Sequence, residues 1–258
     1  ICFNGGDRFF ANPESAFDFT APTAEWRGFI TQFYVQKRIE AIFLYGDCRF
    51  YHRVAADVAK RMGIRVFVFE EGYVRPNYVT FEENGVNAHS GLPRDADFYR
   101  RLTPAPAPVS KCPPDKYNFN RWAFYTVVYF LFMRLWKNRY PANAHHRNTR
   151  IGVEIVYGIR NLLRKMWFAQ CEKNFGHQIT NGLAKKYYFV PLQVQYDFQI
   201  SRHSRFKNME EFIRVVMTSF ARHAPADRFL VLKHHPMDRG RALFYSFARK
   251  SAKRLGIG

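Results

Sequence analysis

Acidic residues are scarce: the chain has 258 residues, and 21 Asp and Glu stand against 40 Lys and Arg, a formal charge of +19. Such an excess calls for an anionic partner, whether nucleic acid, acidic lipid or a phosphorylated small molecule. Cysteine is scarce too. Cys2, Cys48, Cys112 and Cys171 lie far apart with no C-x-x-C, which excludes a zinc ribbon and a dense disulfide framework and favours a reducing compartment. Long hydrophobic runs are missing. The most apolar stretch, Trp122–Met133, has 12 uncharged residues, whereas a membrane-crossing helix needs about 20. Internal repeats and low-complexity tracts are absent as well.

What the chain does have is apolar and aromatic. Hydrophobic residues make up 47% and aromatics 18%, which excludes a disordered chain and allows a sizeable core. The length suits one large domain or two ordinary ones. Residue 1 is Ile, and "ICFNGG" reads as the tail of a strand running into a glycine turn. "KSAKRLGIG" reads as a helix followed by the start of another strand, so truncation at both ends is expected. A targeting sequence would then be invisible.

The charge is unevenly spread. Residues 1–120 hold 15 basic and 14 acidic residues, residues 121–186 hold 12 and 2, and residues 187–258 hold 13 and 5. The middle segment therefore carries over half of the excess, and it contains the apolar run bracketed by Arg121 and Arg134. A second stretch, 151–168, places Ile155, Ile159, Leu162 and Leu163 near one helical face, with Arg160, Arg164 and Lys165 largely away from it. Basic helices rich in Trp and Phe can lie in a membrane interface and attract anionic lipid. The plainer reading makes both segments core or interface helices with a solvated basic face.

The rest reads as α/β. Strand "IEAIFLYG" (39–46), helix "YHRVAADVAKRMG" (51–63) and strand "IRVFVFEEG" (64–72) form a βαβ unit, for which parallel pairing is expected. In the following stretch Asn84-Gly85 suits a type I′ hairpin turn. The proline-rich stretch 103–114 reads as a stiff connection. Strand "KYYFVPLQ" (186–193), helix "MEEFIRVVMTSFARH" (209–223), strand "RFLVLK" (228–233) and a helix from about Arg241 make a second such unit. Expected domains are 1–120, a basic helical region 121–186 and a partial domain 187–258.

Open α/β sheets bind ligands beyond the carboxyl ends of their strands. There the first unit carries Gly46-Asp47 and Glu70-Glu71-Gly72, and the second carries Gln193, Asp197, Lys233, His234, His235 and Pro236. If the two sheets face each other across a cleft, carboxylates meet carboxylate, histidine and lysine. That set suits a sugar nucleotide: lysine or imidazolium neutralises a phosphate leaving group, and carboxylates act as nucleophile or acid/base. Each element alone also fits a surface turn or a helix start. His145-His146 lacks nearby ligands and reads as solvated, and no metal is expected.

Three stretches, 67–87, 187–206 and 229–240, carry E-E-G, Q-x-x-x-D and K-x-H-P in order. Together they resemble the capsule polysaccharide biosynthesis and export proteins of the KpsS/LipB type, β-Kdo transferases of Gram-negative bacteria. The resemblance implies two Rossmann-like domains of glycosyltransferase-B type with the basic helical region between them. It also implies CMP-Kdo as donor, no cofactor, and a lysophosphatidylglycerol-type lipid acceptor at the cytoplasmic face of the inner membrane, with retained anomeric configuration. Asp197 would then be the nucleophile, His235 would hold the cytidylate phosphate, and Glu71 would join them as a catalytic residue. Gln193, Lys233, Glu70, Gly72, Tyr73, Arg75 and Asp47 are the expected substrate-binding residues. Which of Glu70 and Glu71 does what stays open. A Ser/Thr-Gly phosphate loop expected further along lies beyond Gly258, so this piece alone can be inactive. The alternative is a non-catalytic, membrane-associated adaptor of capsule export, among other capsule-assembly proteins. Nucleic-acid binding is disfavoured because no helix-turn-helix, zinc-finger or RNP-like motif accompanies the charge.

Overall fold

The computed structural model describes residues 1–73, 78–103, 119–140, 151–195, 197–241 and 244–257. Arg75, most of the proline-rich stretch and the His145-His146 pair lie outside the described residues. The chain divides into two compact units, residues 1–147 and 148–258.

In the first unit, Asn4 caps helix α1 (Gly5–Phe10) by accepting from the Asp7 amide. The opening glycines therefore start a helix rather than make a turn, and Cys2 forms only an isolated parallel bridge to Asp18. Helix α2 (Trp26–Gln36) buries Trp26, Ile30 and Tyr34, spaced at i, i+4 and i+8. Strand β1 (Ala41–Tyr45), helix α3 (Phe50–Arg61) and strand β2 (Arg65–Glu71) form the expected unit, and β1 pairs parallel to β2 with Tyr45 opposite Phe69. Alternation along β2 buries Val66 and Val68 with Leu44, Ala55, Val58 and Ala59. Each Val or Leu side chain among them adds about 1.5–3 kcal/mol on full burial.

Strand β3 (Val79–Glu83) pairs antiparallel to β2. The hairpin expected at Asn84-Gly85 is not there. Asn84 has φ 71°, but Gly85 is absent from the positive-φ residues, so a type I′ turn cannot form. The Asn84 amide instead donates to Val66 O at 2.8 Å, and the chain enters a 3₁₀ turn at Asn87–His89. Helix α4 (Ala96–Arg101) follows. Helix α5 (Phe119–Leu135) packs on α1, with Phe132 stacked on Phe9 and the Tyr129 hydroxyl donating to Asp7 at 2.8 Å.

The second unit starts with α6 (Ile151–Cys171) and the short α7 (Phe175–His177). The basic stretch 121–186 is thus shared between the units. Strand β4 (Tyr187–Pro191), the single turn α8 (Phe198–Ser201), helix α9 (Met209–His223), strand β5 (Phe229–Lys233) and helix α10 (Phe244–Leu255) follow. Strands β4 and β5 are parallel, with Pro191 opposite Lys233. Met209, Ile213 and Met217 of α9 pack with Leu192, Ile200 and Phe244 to form the core. Mixed α/β architecture holds in both units, as sheets of three strands and of two.

Candidate functional site

In each unit, site residues expected from the sequence lie where the parallel strands end. In the first unit β1 and β2 finish side by side, and the Gly46 amide extends the ladder to Phe69 O at 2.9 Å. Asp47 follows directly. Its Oδ2 accepts from His89 Nδ1 at 2.8 Å and its Oδ1 from the Cys48 thiol at 3.3 Å. His52, from the first turns of α3, donates through Nδ1 to Gly46 O at 2.8 Å. Burial pushes the His52 pKa below the usual 6.5, partly opposed by that hydrogen bond.

Strand alternation separates the two glutamates. Glu70 shares the face of buried Val66 and Val68, whereas exposed Glu71 shares the face of Phe67 and Phe69. Glu70 Oε2 accepts from Asn87 Nδ2 at 2.5 Å, and Asn87 Oδ1 in turn accepts from the Tyr73 hydroxyl. Glu70, Asn87 and Tyr73 therefore form one chain of hydrogen bonds. Gly72 lies against the backbone of Tyr78, to which its amide donates at 2.9 Å.

In the second unit β4 is followed by Leu192, whose amide donates to Lys233 O at 2.9 Å. Beyond that bond the two strands open into loops. Gln193 is exposed. Asp197 is half-buried and caps α8, accepting at Oδ1 from the Gln199 amide at 2.9 Å. Its Oδ2 has no protein partner among the described residues. Lys233 is exposed at the end of β5. His235 caps the 3₁₀ turn Pro236–Asp238, and its Nδ1 accepts from the Met237 amide at 3.2 Å. An accepting Nδ1 carries no proton, so Nε2 is the N–H donor of this ring. That N–H can donate to a phosphate oxygen.

Asp197, Lys233 and His235 thus share the carboxyl rim of one sheet, and Asp47, Glu70, Gly72 and Tyr73 share that of the other. Sequence reasoning missed Asn87, His89 and His52, and it missed buried Asp238. Asn87 and Asp238 lay inside stretches already singled out, but nothing in residue type or spacing set them apart from ordinary loop residues.

The model of the capsule polysaccharide biosynthesis protein family matches residues 40–255. The chain belongs to this family. Capsule polysaccharide export protein KpsS of Escherichia coli is 36% identical over 259 residues, which is 100% of this chain and 66% of that protein. Capsule polysaccharide modification protein LipB of Neisseria meningitidis serogroup B is 35% identical over 248 residues, 92% of this chain and 58% of that protein. This member of the capsule biosynthesis family therefore spans roughly three-fifths to two-thirds of the curated relatives' length. No solved structure matches it.

In this capsule biosynthesis protein no described helix is long and apolar enough to cross a membrane. Helix α6 nevertheless presents Val156, Ile159, Leu163, Met166 and Trp167 to solvent, Trp167 at 68% exposure. Its opposite side is polar and packed: Arg164 donates to Arg239 O at 2.5 Å, and the Arg241 guanidinium lies over the Tyr157 ring. Of the apolar face anticipated from the sequence, Ile159, Leu162 and Leu163 are exposed rather than packed into a core of described residues, and the side chain of Ile155 lies outside the described residues. On α5, Phe124, Val127, Leu131 and Leu135 are likewise exposed.

Proposed function

We propose that this chain is part of a retaining β-Kdo transferase that moves Kdo from CMP-Kdo to a lysophosphatidylglycerol-type lipid. The two units are read as portions of two Rossmann-like domains in a glycosyltransferase-B arrangement, because each contains a parallel β-α-β element. The observation that carries the reading is the second unit's rim. There Asp197 retains an oxygen without a described partner, and the neighbouring strand's loop supplies Lys233 and the Nε2–H of His235.

In the first displacement Asp197 Oδ2 attacks the anomeric carbon of Kdo, and the bond to the phosphate oxygen breaks. The electron pair leaves with cytidine monophosphate. His235 Nε2–H and the Lys233 ammonium stabilise the growing phosphate charge. In the second displacement the acceptor hydroxyl attacks the same carbon, its proton passes to a carboxylate, and the Asp197 carboxylate departs. Two inversions give retention. The proton-accepting role is assigned to Glu71, the more exposed of the two glutamates at the end of β2. Glu70, Gly72, Tyr73, Arg75 and Asp47 are assigned to substrate binding, as is Gln193. The protein sits at the membrane surface, held by the apolar and basic faces of α5 and α6.

The test uses the full-length protein with CMP-Kdo and a fluorescent lysophosphatidylglycerol. The expected result is a mass increment of one or more Kdo units. Asp197→Ala should lose several orders of magnitude in rate. Retention of more than about a tenth, worth only ~1.4 kcal/mol, would overturn the nucleophile assignment.

A further inference from the structure

Asp238 occupies a costly position. Its side chain is 0% exposed, and no ion pair reaches it among the described residues. One oxygen, Oδ2, accepts from the backbone amide of Gln195 at 2.7 Å. The other, Oδ1, is buried without a described partner. A buried carboxyl group with one oxygen unmatched costs stability, so its presence asks for a reason beyond packing.

Its bonds connect two particular loops. Through its own backbone Asp238 belongs to the loop after β5, because its amide donates to His235 O at 3.0 Å and its carbonyl accepts from Arg241 N at 2.9 Å. Through its side chain it reaches the loop after β4. Gln195 lies two residues before Asp197, inside a turn closed by the Asp197 amide donating to Val194 O at 3.0 Å. The parallel ladder ends three residues before Gln195, at the Leu192–Lys233 bond. Past that point, the Asp238–Gln195 bond joins the loop bearing Asp197 to the loop bearing His235.

We propose that Asp238 is a positioning residue that fixes the spacing between Asp197 and His235, and with it the alignment of nucleophile and leaving phosphate. The proposal rests on the transferase reading above. Asp238 touches neither substrate nor reacting atoms. A shift of about 1 Å between groups that must act in line can cost a hundredfold in rate.

Three variants of the full-length protein test it, by transfer kinetics and by hydrogen exchange at the Gln195 amide. Asp238→Ala removes the tether. Asp238→Ser keeps a hydroxyl but is too short to span to Gln195. Asp238→Asn keeps an accepting oxygen. The Ala and Ser variants should lose about a hundredfold in kcat, with KM for CMP-Kdo changed less than about threefold, and should exchange faster at Gln195. Asn should restore both rate, to within about tenfold, and protection. Faster exchange with kcat within about threefold of wild type would mean a tether without catalytic consequence, and would overturn the proposal. So would loss of the fold in both Ala and Ser, read by near-ultraviolet circular dichroism, because Asp238 would then be structural. Wild-type protein that transfers nothing would sink the transferase reading and the kinetic role with it. Gln195 exchange would still report whether the tether exists.

Discussion

Replacing Gly72 by Ala asks whether Gly72 and Tyr78 must approach each other as closely as their geometry implies. A Cβ built there meets Tyr78 backbone: its carbonyl carbon lies 2.6 Å away, and its Cβ 3.0 Å away. Carbon atoms in comfortable contact are about 3.5–4.0 Å apart. A backbone carbonyl cannot rotate aside as a lysine tail could, so the two strands must part by roughly 1 Å. The casualty is the Gly72 amide bond to Tyr78 O, now 2.9 Å, whose loss costs about 1 kcal/mol. Overpacking strain adds about 1–3 kcal/mol, for a total near 2–4. In a unit of this size that lowers Tm by roughly 4–16 °C.

The control is built into the same unit. Gly28 lies exposed on α2 with nothing within 4 Å of a built Cβ, and Ala there gains up to about 1 kcal/mol of helix propensity. Two identical chemical changes should therefore move stability in opposite directions, read by thermal and urea unfolding under one buffer. Gly72→Ala should also slow transfer, because Tyr73 and Glu71 flank it and Tyr73 is bonded to the Asn87 that holds Glu70. If Gly72→Ala unfolds within about 0.5 kcal/mol of wild type, the strands separate freely and the steric argument is wrong.

Two further predictions concern pH and lipid. Because burial holds the His52 pKa below 6.5, the unfolded chain takes up a proton there before the folded one does. Stability should fall as pH drops below about 6.5 and stop falling once the folded ring is protonated too. His52→Gln should flatten this slope in urea midpoints taken from pH 7.5 to 5.5, and an unchanged slope would assign it to other groups. With lipid, the full protein should float with phosphatidylglycerol vesicles and not with neutral ones, partly released by salt, since each basic residue near an anionic surface adds about 1 kcal/mol. Leu163→Glu with Trp167→Glu should abolish flotation, and equal recovery on neutral vesicles would remove the electrostatic argument.

Much of the architecture was legible in the sequence because its signals are local. The strand at 64–72 and the helix at 209–223 declare themselves through period-two and 3.6-residue spacing, and their partners lie nearby along the chain. Glycine and asparagine misled where local preference competed with tertiary bonds. Asn84-Gly85 has the composition of a hairpin turn. The Asn84 amide, however, is taken by Val66 and its carbonyl accepts from Lys60 at 3.1 Å, so the chain leaves the sheet there. At the start of the chain, two glycines that look like a turn fit a helix because α5 packs close against it.

The site follows the same division. Strand ends are visible in a sequence, so the rule that ligands sit beyond them brought out Asp47, Glu70, Asp197 and His235 without any structure. Their assignments depend on partners that spacing does not reveal. Two adjacent glutamates are equivalent in a string of letters, and only the pleat of β2 separates them by sending Glu70 to the helix-covered face and Glu71 to the other. His235 offers two ring nitrogens, and the amide of Met237, two residues on, takes up Nδ1 and leaves Nε2 for another partner. Asp238 had no signal at all, since its meaning lies in a bond to an amide 43 residues away. Residues that do chemistry are recognisable by type and place, whereas residues that hold them in register are recognisable by what they touch. Residue type and strand-end position therefore pick out Asp197 and His235 in this sequence, and they pass over the carboxylate that joins their loops.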